Sequence, residues 1–93
     1  MLLKALGNDG AVTGTGTFPV ALGMLGGVLI TADGTNNATV ILRREDSTGK
    51  QVFDLVTKSP TFIAAPIGLE GSKVLYYNVS GTGAAAQFFE WVE

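Results

Sequence analysis

The neighbouring acids Glu45-Asp46, the turn acids Asp9 and Asp33, and the glycine-threonine runs Gly14-Thr15-Gly16 and Gly81-Thr82-Gly83 are where chemistry would have to begin in this sequence. Two close carboxylates can divide acid and base roles or give oxygens to calcium, and glycine-rich loops can cradle phosphate. Spacing argues against each. The acids are not followed by the further alternating Asp or Asn ligands of a calcium loop, and the glycine runs continue neither as G-x-G-x-x-G nor as a Walker loop. Asp and Asn at such places bond their own backbone and make turns, which accounts for all of them. The 93 residues include no histidine and no cysteine. That removes the Ser-His-Asp triad, the thiolate nucleophile, the disulfide framework and the usual zinc ligand sets. The sequence therefore predicts a protein that is not an enzyme, with no catalytic, cofactor-binding or metal-binding residues.

What remains is a chain that binds or builds. Six basic residues stand against eight acidic ones, a formal net charge of −2, and no basic run exceeds Arg43-Arg44, so the clustered cations of a nucleic-acid binder are missing. The longest apolar stretch, residues 18–30, is interrupted by Gly23, Gly26 and Gly27, and a spanning helix needs about 20 residues, so no membrane role is expected. The first residues reach Gly7-Asn8-Asp9-Gly10 before an apolar signal segment develops, which makes synthesis in the cytoplasm the expectation. Mean hydropathy is +0.35, high for a chain that can bury only about 60–65% of its unfolded surface. The surplus apolar surface is expected to meet another chain.

Those residues must be held by strands. β-branched and aromatic runs alternate with Gly, Asn, Asp and Ser clusters, and no helical period appears. Strands are predicted over 28–32, 38–44, 51–58, 61–67, 72–80 and 84–93. Residues 38–44 and 51–58 should form a hairpin, and Gly81-Thr82-Gly83 should close a second one between the last two strands. Alternation puts Leu75, Tyr77 and Val79 on one face of their strand. In the last strand it separates Gln87, Phe89 and Trp91 from Ala86, Phe88 and Val92. Pro60 and Pro66 make the 61–67 segment an edge or a sheet-crossing strand. The fold expected is all-β: a small antiparallel β-sandwich or jelly-roll-like domain over residues 24–93 with an extended N-terminal arm over residues 1–23.

The arm is glycine- and threonine-rich between residues 8 and 17, and the leucines and Phe18 on either side of that stretch suit strands added to the chain's own sandwich or to a neighbour's. The candidate interface residues are Leu2, Leu3, Phe18, Val20, Leu22, Met24 and Trp91. The aromatic residues Tyr76, Tyr77, Phe88, Phe89 and Trp91 read as core and inter-subunit packing, or alternatively as a sugar-stacking platform. Two N-x-S/T triplets, at Asn37 and Asn78, read as chance occurrences.

Three segments carry a family likeness: Asp33-Gly34-Thr35-Asn36-Asn37-Ala38-Thr39-Val40-Ile41-Leu42, the hairpin around Thr48-Gly49-Lys50-Gln51-Val52, and Tyr76-Tyr77-Asn78-Val79-Ser80-Gly81-Thr82-Gly83-Ala84. Together they resemble small all-β virion proteins of tailed bacteriophages, some of which are capsid decoration or cement proteins. The likeness spans residues 28–93 and leaves out residues 1–23. It implies a structural protein on the virion's capsid surface, often a trimer, bound to the major capsid protein or other virion proteins and tying capsomers together. Another tail, neck or fibre component, or a carbohydrate-binding sandwich, is the alternative.

Overall fold

Residues with branched or aromatic side chains fit a pleated, half-buried surface, and in this chain they recur with a period of two over most of its length. The computed structural model describes residues 2–6, 10–64 and 66–92. They form β1 (Leu2–Ala5), β2 (Gly14–Pro19), β3 (Met24–Thr31), β4 (Ala38–Arg44), β5 (Gln51–Thr57), β6 (Thr61–Ile63), β7 (Ile67–Gly68), β8 (Val74–Ser80) and β9 (Ala85–Val92). No helix occurs among the described residues.

The strands make two antiparallel sheets. One has the order β1-β9-β3-β6, with β7 also on β3; the other has the order β2-β8-β4-β5. β6 and β7 lie end to end along β3, the first opposite Val28–Ile30 and the second opposite Met24 and Leu25. Taken as one interrupted strand they give two four-stranded sheets joined by crossing connections, which is a jelly roll. The all-β sandwich read from the alternation is the fold of the protein.

The connections differ from expectation at one point. β4 and β5 form the expected hairpin, with Val40 opposite Leu55. The turn at Gly81–Gly83 does not close a hairpin: β8 lies between β2 and β4, and β9 lies between β1 and β3. A tight-turn signal specifies a sharp reversal and not the sheet that receives the next strand, and here the turn carries the chain across the sandwich. Ala84 N–H donates to Gly81 C=O at 3.2 Å. Gly81 has φ 114°, and a Cβ there would run into the carbonyl oxygen of Asn37.

Of the two possibilities for the N-terminal segment, the structure shows strands added to the chain's own sandwich. β1 pairs with β9, Val12 bridges Ala86, and β2 runs along β8 from Gly14 opposite Val79 to Pro19 opposite Val74. β1 is an edge of the first sheet and β2 an edge of the second. The boundary expected between residues 23 and 24 therefore falls inside the sandwich, because Leu6 and Val20 are part of its core. Residues 7–9 lie outside the described residues.

Inward side chains of both sheets build one core. Val28, Ile30, Ala86 and Phe88 from the first sheet meet Val40, Leu42, Leu75 and Val79 from the second. Phe18, Tyr77 and Phe88 join across the sheets, with Phe18 stacked on Tyr77 at 5.3 Å and Phe88 5.6 Å from Tyr77 and 6.2 Å from Phe18. Two irregularities escape simple alternation. β3 starts at Met24, upstream of the expected residue 28, because the Gly26-Gly27 step is absorbed as a bulge opposite β9. Val52 packs on the core although alternation would turn it outward, since a second register shift falls between Leu42 and Arg43.

Candidate functional site

The acids singled out by their types are turn residues in the structure. Asp33 Oδ1 accepts from Asn36 N at 2.7 Å and from Thr35 N at 2.8 Å, and its Oδ2 accepts from Asn36 Nδ2 at 2.9 Å. Asp46 Oδ1 accepts from the Thr48 hydroxyl at 2.8 Å and the Thr48 N–H at 3.0 Å. The Asn36 and Thr35 amides hold the Asp33 carboxyl below its ordinary value of 3.8, and the Thr48 hydroxyl and amide do the same to Asp46. Carboxyls depressed in the folded state stabilise it above their unfolded value, and that contribution is lost as pH falls through the folded value. Acid titration of the melting temperature should therefore show a decline that begins near pH 3.8 and continues below it. In the Asp33→Asn, Asp46→Asn double variant that decline should flatten.

An open groove of about 540 Å³ lies between the β4–β5 turn and the β7–β8 loop, lined by Arg44, Glu45, Asp46, Lys50 and Glu70 among others. Two contacts bridge it: Lys50 Nζ sits 3.0 Å from Glu70 Oε1, and Arg44 Nη1 donates to Glu70 C=O at 3.0 Å. Exposed pairs of this kind contribute about 0–1 kcal/mol. They tie two turns together. Among the described residues no cluster of three acidic, histidine or cysteine side chains is placed to hold a metal ion.

The surface feature that stands out is the outer face of the β1-β9-β3-β6 sheet. The bulge in β3 turns both Gly26 and Gly27 toward this face, and larger side chains lie over them. A Cβ on Gly26 would strike Leu3 Cδ1 and come within 2.8 Å of Trp91 Nε1; one on Gly27 would come within 2.9 Å of Phe62 Cζ. Phe62 meets Phe89 edge-on at 5.8 Å, and Leu3 stands directly opposite Trp91. The result is a strip from β1 to β6 consisting of Leu3, Trp91, Phe89, Leu29 and Phe62. Leu3 is 41% and Phe62 46% exposed, while Leu29, Phe89 and Trp91 are half-buried. Large apolar side chains gathered on one open face are the pattern by which interaction surfaces are recognised. By contrast, the outer face of the second sheet mixes Ile41, Val56 and Tyr76 with Thr39, Arg43, Asp54 and Asn78, all polar partners at cross-strand distance.

The seven residues proposed from sequence are divided by the fold. Leu3 and Trp91 belong to the strip. Met24 is exposed where β3 begins, and Leu22 is exposed in the β2–β3 turn; Leu2, 68% exposed, lies at the free edge on β1. Val20 is a correction: it has no exposed surface, because its N–H donates to Lys73 C=O at 2.8 Å and its side chain closes the end of the core. Phe18 is half-buried against Tyr77 and packs with the core. Phe62 and Leu29 are not among the residues the sequence points to, whereas Phe89 is one of the aromatics read as core and inter-subunit packing. The signal for Phe89 was present in its shared face with Trp91; nothing in the sequence links Phe62 to either, since that contact joins strands more than 20 residues apart. The five aromatics considered as a sugar platform do not converge: Tyr77 and Phe88 are core, Tyr76 faces out from the second sheet, and Phe89 and Trp91 from the first.

No protein-family model, no characterised protein and no solved structure matches the chain.

Proposed function

We propose that the protein is a non-catalytic structural component of a tailed-phage particle, one that seats its first sheet on the outer surface of the capsid and cements neighbouring capsomers through contacts with the major capsid protein. The observation that carries this reading is the Leu3-Trp91-Phe89-Leu29-Phe62 strip. It supplies aromatic and aliphatic anchors on a rigid sheet, with few charges to desolvate, as the centre of a protein interface requires. The resemblance of residues 28–93 to phage virion proteins supplies the particle, and jelly rolls recur among viral capsid and lectin domains, an analogy at the level of fold.

The test is to add the purified protein to particles of the phage that encodes it and to image them. Density on the capsid exterior is expected, and Phe62→Ser should weaken binding about 30-fold while leaving the melting transition in place. Density confined to the tail or neck would overturn the capsid reading in favour of another virion role. Glycan binding that disappears in Trp91→Ala would favour a carbohydrate-binding module.

A further inference from the structure

Four strand edges bound the two sheets, and they differ in how they are protected. β2 ends in Pro19, β5 carries Asp54 near its middle, and the β6–β7 edge is broken at Pro66 and made of pieces of three and two residues. Proline, charge and brevity are the usual means of preventing edge-to-edge pairing. β1 is four residues long and carries one charge, Lys4, but it has no proline and no bulge, and its side chains at Leu2 and Leu3 are exposed. Leu6 N–H donates to Phe88 C=O at 2.8 Å in register with the β1–β9 ladder, so Leu2, Lys4 and Leu6 turn their backbone groups toward β9. By alternation Leu3 and Ala5 turn theirs outward.

We propose that β1 pairs with β1 of a second copy of this chain, antiparallel about a two-fold axis through Leu3, joining the two first sheets into one continuous sheet. Charge and register select this arrangement. Residues directly opposite in an antiparallel pair share a face, so only pairings between residues of like parity are open. Centring on Lys4 would set the two ammonium groups against each other, which is destabilising. Centring on Leu2 would leave Leu3 without a facing residue among the described ones. Centring on Leu3 places its N–H and C=O opposite those of its copy, a mutual pair of hydrogen bonds, and sets Leu2 against Lys4 at the close, non-hydrogen-bonded positions on either side. There the aliphatic stem of Lys4 covers Leu2 while the ammonium stays in solvent. Leu3 also ends the apolar strip, so the two strips become one across the axis. A two-fold dimer stands in place of the trimer that the phage likeness implies, because β1 paired with its own copy closes after two subunits and leaves no further β1 edge to add a third. This inference concerns the free protein and stands apart from capsid binding.

Light scattering coupled to gel filtration, over about 10 to about 500 µM of the full chain, should show a concentration-dependent monomer–dimer equilibrium. Leu2 is exposed enough to vary without cost to folding, and circular dichroism melts verify this for each variant. Leu2→Lys sets two like-charge pairs across the axis and should raise the dissociation constant about tenfold; Leu2→Glu sets two opposite-charge pairs and should lower it by several-fold. The Leu2→Lys effect should shrink in 1 M salt. A monomer at every concentration, a trimer, or Leu2→Lys and Leu2→Glu of equal affinity would each overturn the proposal. A dimer that fails to bind particles would leave it standing and would overturn the capsid reading.

Discussion

Deleting residues 1–23 is expected to abolish folding. The segment is extended and poor in large side chains, yet it supplies an edge strand to each sheet, and Leu6 and Val20 are both fully enclosed. Burying a Leu or Val side chain contributes about 1.5–3 kcal/mol, so the two together, with half of Phe18, account for roughly 5–7 kcal/mol. Small domains hold about 5–15 kcal/mol in all. The deletion also strips the ladder partners of β8 and of β9 and uncovers Tyr77 and Phe88. Far-UV circular dichroism and a thermal melt of the truncated chain should show no cooperative transition. A sharp transition would mean that residues 24–93 form an independent domain and that the first two strands are accessory. Where no transition is seen, loss of particle binding after this truncation reports unfolding and cannot be assigned to an arm.

The second large effect is expected at Phe88, and its neighbour supplies the control. Phe88 is 1% exposed and touches both Phe18 and Tyr77, so Phe88→Ala leaves a void that two rings cannot close. Substitutions of this kind cost about 3–5 kcal/mol. In a domain of this size each kcal/mol moves the midpoint by about 4–8 °C, so a fall of about 12–40 °C, or no folded state at room temperature, is expected. Phe89 points to the opposite face and meets only Phe62 edge-on among the aromatics. Phe89→Ala should cost less than half as much and should act mainly on binding. Equal losses of stability at the two positions would contradict the facing of β9.

The face each strand turns inward could be read from the sequence because alternation is a local property, repeated at every residue. Ala38, Val40 and Leu42, and Leu75, Tyr77 and Val79, are on the buried sides of β4 and β8 for that reason. Which strand follows which across the sandwich is not local. Gly81-Thr82-Gly83 has the composition of a hairpin and instead crosses between sheets, because β9 pairs with β1 and β3, whose residues are remote in the chain. The same distinction divides the candidate interface. Exposure at Leu2 and Leu3 follows from their place near a free edge, whereas the burial of Val20 depends on the β7–β8 loop reaching over it through Lys73. The apolar strip was half legible: Phe89 and Trp91 share a strand face, while Phe62 joins them only because Gly26 and Gly27 flatten the strand between.

The position of β9 between β1 and β3 also dictates an order of events during synthesis. β1 has no place in its sheet until β9 has emerged from the ribosome, and β2 waits in the same way for β8. Native pairing is therefore dominated by partners far apart along the chain, whose loop-closure cost makes folding slow. Between the synthesis of β6 and that of β9 the nascent chain holds β3 and β6 with one side of their sheet unfilled, a state that exposes both backbone and apolar groups to other chains. Completion of β9 fills that gap, so the first sheet is completed only when β9 is made.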